Sequence, residues 1–148
     1  MTEEPDWIRV EFDALIEGLV PFAQEMLELQ GEFYPFGGYV DGSGEVCMLG
    51  AELEDEQPDR KDVHAFLVEG FRAEASDNGY LATAICADGR AQRPDTAEVS
   101  DAVIVQLEHR DGAAINFALP YIKVRNEVTY GEPFGFRSEP TIFGEAFS

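Results

Sequence analysis

Lysine is almost missing from this chain. Lys61 and Lys123 are the only two in 148 residues, and ten Lys and Arg together face thirty Asp and Glu. The formal net charge of −20 excludes whole classes of partner. A phosphate backbone needs neutralising Lys and Arg, and an anionic leaflet attracts basic segments and repels acidic ones. No nucleic acid and no membrane partner is expected. A basic protein surface, cations, or plain solubility remain.

Cysteine is equally scarce. Cys47 and Cys86 make no disulfide framework, and each sits in an apolar strand-like run, EVCML or TAICA, where a reduced thiol acts as a small hydrophobe. The N-terminal MTEEPDW carries no apolar signal core, and no run approaches the roughly 18 apolar residues of a membrane span. The expectation is a soluble, reduced, cytoplasmic protein. Hydrophobic residues still make up 45% of the chain, enough for a folded core despite the charge. The length suits a single domain over 1–148, with a polar leader at 1–8 and an aromatic tail at 131–148.

Periodicity outlines the elements. From about Val10 to Gln30, Phe12, Leu15, Ile16, Leu19, Phe22, Ala23, Met26 and Leu27 recur in steps of three and four, which predicts a helix with one apolar face. Pro21 falls inside it, removes the bond to the Glu17 carbonyl, and predicts a kink or a division. Phe36 to Val40 and Glu45 to Leu49 flank Asp41-Gly42-Ser43-Gly44 and read as a hairpin. Gly37-Gly38 suggests a bulge or a close backbone approach. Pro58 opens a second helical pattern through Val63, Phe66, Leu67, Gly70 and Phe71, and Asn78 or Gly79 ends it.

Tyr80 to Ala87 is a third strand. Ser100 to Tyr121 then supplies two more around Asp111-Gly112, a strong hairpin signal. Val103, Val105 and Leu107 share one face, as do Ile115, Phe117 and Leu119 on the return. Glu127 to Tyr130 is long enough for a short further strand. Phe134, Phe136, Phe143 and Phe147 predict a tail packed on the domain or on a second subunit.

Chemistry is thin. Glu108-His109-Arg110-Asp111 is the one conspicuous ionisable cluster, and a His beside carboxylates can act as a general base near neutral pH. Adjacent strand residues point to opposite faces, however, so Glu108 and His109 do not join easily in one constellation. His109 shares the face of Leu107 near the hairpin end, where a rim position is natural. No nucleophile elbow, phosphate loop or metal-ligand spacing is present. His64 has no helical partner for a metal, and no cofactor is called for.

The segments FYPFGGYV, DAVIVQLEHRDG, ALPY and YGEPF together resemble a family of small, uncharacterised, acidic bacterial proteins with no assigned activity. The likeness covers about Phe33 to Phe143. In size and acidity the chain is also similar to bacterial immunity proteins, which cap toxin domains, with no motif to carry that second likeness.

The expected fold is α+β, a mainly antiparallel five-stranded sheet with two helices on one face, in the order α-β-β-α-β-β-β. That order is similar to profilin-like and roadblock-like scaffolds, which serve as interaction or small-ligand modules. The favoured function is a non-enzymatic interaction module, a candidate homodimer, using an acidic open sheet face or the aromatic tail to bind a basic partner. The alternative is a small enzyme or ligand-binding domain with its pocket near Glu108, His109 and the Phe33–Tyr39 aromatics.

Overall fold

The structure, a computed structural model, describes residues 6–49, 60–74, 79–93, 96–125 and 127–137. Among the described residues two helices and seven strands follow one another as α1 (Asp6–Gln30), β1 (Phe36–Val40), β2 (Val46–Leu49), α2 (Arg60–Glu74), β3 (Ala82–Gln92), β4 (Val99–His109), β5 (Ala114–Val124), β6 (Glu127–Tyr130) and β7 (Phe134–Arg137). All pairings are antiparallel. The spatial order is β2-β1-β3-β4-β5-β6, with β7 also on β5. The fold is α+β, and the element order agrees with the sequence pattern as far as β5.

The sheet has seven strands where the sequence pattern gives five. The reason is the length of β5. Its 11 residues leave a free edge long enough for two short strands in succession: β6 pairs with Tyr121–Val124 and β7 with Ile115–Ala118. The first half of the aromatic tail is therefore sheet. Phe134 and Phe136 pack with Ala91, Ala102, Ala118 and Ile104. Phe143 and Phe147 lie outside the described residues, as do Pro58 and Asn78.

The second correction concerns the helices, which lie on opposite faces of the sheet. Ala82, Ala84 and Cys86 of β3 face α1 and join Leu15, Leu19, Ala23 and Leu27 in one core with Val103, Val105 and Leu107. Ile85 faces the other way and packs with Val63, Leu67 and Phe71 of α2, together with Tyr80. The Gly37-Gly38 pair makes this arrangement possible. A Cβ on Gly38 would come within 2.7 Å of Leu19 Cδ1, and one on Gly37 within 2.9 Å of the Phe71 ring. Both glycines pair in register with β2 and β3, so there is no bulge here. The close approach comes from side chains of two helices pressing on β1 from either side. An aromatic stripe holds no information about which face it will cover, so the sequence pattern left the side open.

α1 runs unbroken through Pro21 and begins at Asp6, inside the expected leader. Pro21 and Glu17 are both exposed, so the carbonyl freed by the proline lies on the water side. Leu15, Leu19, Ala23 and Leu27 are fully buried on the other side, each large one contributing about 1.5–3 kcal/mol. That outweighs one lost helical bond. The β4–β5 hairpin closes as its sequence predicts: Gly112 adopts φ 102°, which favours glycine, and its N–H donates to the His109 carbonyl.

Candidate functional site

His109 ends β4 on the face of Leu107, yet it is no rim residue. The first turns of α1 cover it and leave 1% of it exposed. Its Nε2 stands 2.7 Å from Glu11 Oε2, and its Nδ1 accepts the Asp111 backbone N–H at 3.2 Å. An Nδ1 that accepts fixes the proton on Nε2, which therefore donates to the carboxylate. Phe12 meets the ring edge-on, with centroids 6.2 Å apart. Both nitrogens are thus engaged by the protein, one fastening α1 to β4 and one bracing the Asp-Gly turn. A general base needs a nitrogen facing its substrate, and neither faces one.

Glu108 is buried on the opposite face, opposite Thr83 of β3 and Ala114 of β5. One step along β4, Gln106 lies opposite Asn116 and accepts from His64 Nε2 of α2 at 2.5 Å. Thr83 Oγ1 and Asn116 Oδ1 are buried with no hydrogen-bond partner among the described residues. The α2 side therefore holds a small polar patch of Thr83, Gln106, Glu108 and Asn116, with His64 against it. Strand alternation predicted that Glu108 and His109 would separate; no sequence signal marked Glu11, 98 residues from its partner.

The aromatics near Phe33 separate in the same way. Phe33 and Phe36 bury on the α1 side, with Phe22 edge-on to Phe36 at 5.2 Å. Tyr39 faces α2 and stacks on Tyr80 at 4.0 Å. The Cys47 thiol and then burial raise the Tyr39 hydroxyl above its ordinary pKa, while burial pushes Tyr80 up to about 12. Burial likewise raises the thiol of Cys86. The pocket expected near Glu108, His109 and these aromatics is split by the sheet itself.

Clefts open at other places on the molecule. One of about 230 Å³ sits between α1 and β5, lined by Phe12, Ile16, Ile115 and Phe117 together with Arg9 and Asp13. Another of about 310 Å³ opens at the far end of β4 and β5, between Arg93, Ser100, Thr129 and Phe134. The Arg93 guanidinium lies 5.1 Å over the Phe134 ring and donates to the Glu132 carbonyl. Among the described residues no group of three or more His, Cys, Asp and Glu side chains converges as a metal site would, and no helix is long and apolar enough to cross a membrane.

The third surface is charge. From Val10 to Asp59 there is no Lys, Arg or His, against thirteen Asp and Glu. Asp13, Glu17, Glu25 and Glu28 are all exposed on α1. Asp13 and Glu17 stand four apart, Glu25 and Glu28 three apart, and like charges at those spacings destabilise a helix by a few tenths of a kcal/mol each. The last turn of α1 has no basic residue, so Glu28 also opposes the helix dipole. Lys123 relieves this only in part, donating to the Gly31 carbonyl at 2.7 Å. The expected open acidic sheet face is not where this charge lies. The part of the α2 side beyond the helix is built of Ala87, Ile104, Ala118, Phe134 and Phe136, and the acids cluster on α1 and the first hairpin.

The chain matches no protein-family model, no curated protein and no solved structure, so the likeness read in FYPFGGYV, LEHRDG and YGEPF is carried by those residues alone.

Proposed function

We propose that this chain is a non-enzymatic interaction module whose partner is a protein with a basic surface. The observation that carries the reading is the acidic ridge of α1. Its carboxylates repel one another and the helix dipole, a cost to folding that a positively charged partner would turn into binding energy. The engagement of both His109 nitrogens weighs on the same side, against acid–base catalysis at the residue best suited to it. An immunity-like protein that caps a basic domain is one form of this reading. Two free cysteines fit the reducing cytoplasm. A homodimer is the weaker form, because each copy brings the same net negative charge.

Affinity capture at low ionic strength, with elution by a salt gradient, tests the proposal. The wild type should retain a basic protein that elutes as salt screens the contact. A variant with Glu17, Glu25 and Glu28 changed to Gln should retain much less of it. Equal retention by both would overturn the reading.

A further inference from the structure

Among the described residues β2 is a sheet edge with little of the usual protection, and β1 is its sole strand neighbour. Exposed edges are blunted by Lys, Pro, a bulge, an inward charge or extreme shortness, and Val46-Cys47-Met48-Leu49 shows only the last, at four residues. Its side chains are apolar and open to water: Val46 is 36% exposed, Met48 48% and Leu49 40%.

The hydrogen-bond phase of the hairpin shows which backbone groups are unclaimed. Asp41 N donates to the Glu45 carbonyl, so pair 41–45 is hydrogen-bonded. Alternation along an antiparallel ladder then turns Cys47 and Leu49 toward β1, and turns the N–H and C=O groups of Val46 and Met48 outward. Those two residues sit roughly 7 Å apart along the strand, a spacing that another strand matches by construction. Their side chains lie on the α1 side, beside Gly18, whose Cβ position is 3.5 Å from Val46. Phe22, 44% exposed, adds a third apolar group from the next turn of α1. Glu17 and Glu45 adjoin Gly18 and Val46 in the chain and are exposed, as is Glu25 three residues after Phe22, and no base occurs in the sequence from Val10 to Asp59.

We propose that β2 is a docking edge that takes an extended segment flanked by Lys or Arg from a partner protein, adding it to the sheet as a further strand. The outward amides of Val46 and Met48 supply register and main-chain bonds, Phe22, Val46 and Met48 supply apolar contact, and the carboxylates select basic flanks. A second copy of the chain could pair its own β2 here, but its flanks would bring Glu against Glu. This inference rests on the basic-partner reading and adds the place and the mode of binding.

The test is a titration of a fluorescent peptide of alternating valine and threonine with lysines at both ends, followed by anisotropy. It should bind, with affinity falling as salt rises. The same peptide with glutamates at its ends, or with alternate backbone amides methylated, should bind at least about tenfold more weakly, a loss of about 1.4 kcal/mol. Met48→Pro removes one outward N–H while sparing the bonds to β1 and should weaken binding by a similar factor; Met48→Thr, which keeps that N–H, should weaken it less. If the methylated peptide or the Met48→Pro protein binds as well as the parent, the basic partner stands and the edge is not its site. If no lysine-flanked peptide binds at low salt, both readings fall. If sedimentation shows a dimer that Met48→Pro dissociates, the occupant is a second copy and the proposal is overturned.

Discussion

The two edges of this sheet are treated in opposite ways. At one edge β6 and β7 share the side of β5, but Gly131, Glu132 and Pro133 interrupt them, Glu127 stands exposed at the start, and six Lys and Arg nearly balance eight Asp and Glu over residues 79–137. At the other, β2 is uncharged, unbroken and apolar, within a stretch that has no positive charge at all. Proline and charge are devices that keep an edge from pairing. Their presence at one side and absence at the other, among the described residues, is the contrast on which the docking proposal rests.

The largest expected effects come from the glycines. Gly37→Ala and Gly38→Ala should each cost about 1–3 kcal/mol, the usual range for overpacking, because the added Cβ meets Phe71 or Leu19 and a backbone oxygen. Gly135→Ala at the far edge meets Ile115 Cδ1 at 3.2 Å, a methyl with room to turn, and should stay within about 1 kcal/mol. Urea midpoints of the three variants measure the contrast. If all three lose the same stability, β1 is not pressed between two helices.

His109→Ala should cost about 1–3 kcal/mol, since it leaves Glu11 without its donor and Asp111 N–H without its acceptor. Circular dichroism melts would show it, and the change should leave the lysine-flanked peptide bound as before. Loss of peptide binding in a folded His109→Ala protein would instead restore a site at that residue.

Alkaline pH should loosen the α2 side. Tyr80 is held up to about 12, first by burial, against roughly 10 in an unfolded chain. The folded value is the higher, so this stability is fully present below about pH 10 and is lost as pH rises towards 12. Melts of the wild type and Tyr80→Phe across that window should converge on the variant's flatter profile. Identical alkaline losses in both proteins would remove Tyr80 from the account.

Met48→Lys should alter stability by no more than about 0.5 kcal/mol, as surface changes do, while blunting the edge for peptide. The smallest effect is Glu25→Gln, which should raise stability by a few tenths of a kcal/mol by relieving Glu28 three residues on. A loss of stability there would mean that the ridge is compensated within the fold.

Much of this architecture is legible in the sequence because it is local. Steps of three and four mark α1, Asp41-Gly42-Ser43-Gly44 and Asp111-Gly112 mark two hairpins, and alternation separates Glu108 from His109. The Asp41 carboxylate even accepts the Ser43 hydroxyl at 2.6 Å, which holds its pKa below the usual value. What stayed hidden is long-range. The opposite placement of the helices depends on β1 joining β3 across α2, and Gly37-Gly38 has no side chain to announce a face. Glu11 and His109 are brought together across 98 residues of chain. The bare edge is likewise a property of strand order, because EVCML reads the same in the middle of a sheet as at its margin.

Residue-resolved amide exchange tests the central claim most directly. In the free chain Cys47 and Leu49 should exchange slowly, bonded to β1, while Val46 and Met48 exchange fast. Adding the lysine-flanked peptide should slow Val46 and Met48 and leave the amides of β6 and β7 unchanged. Protection of Val46 and Met48 already present in the dilute free chain, or no change when the peptide binds, would contradict it.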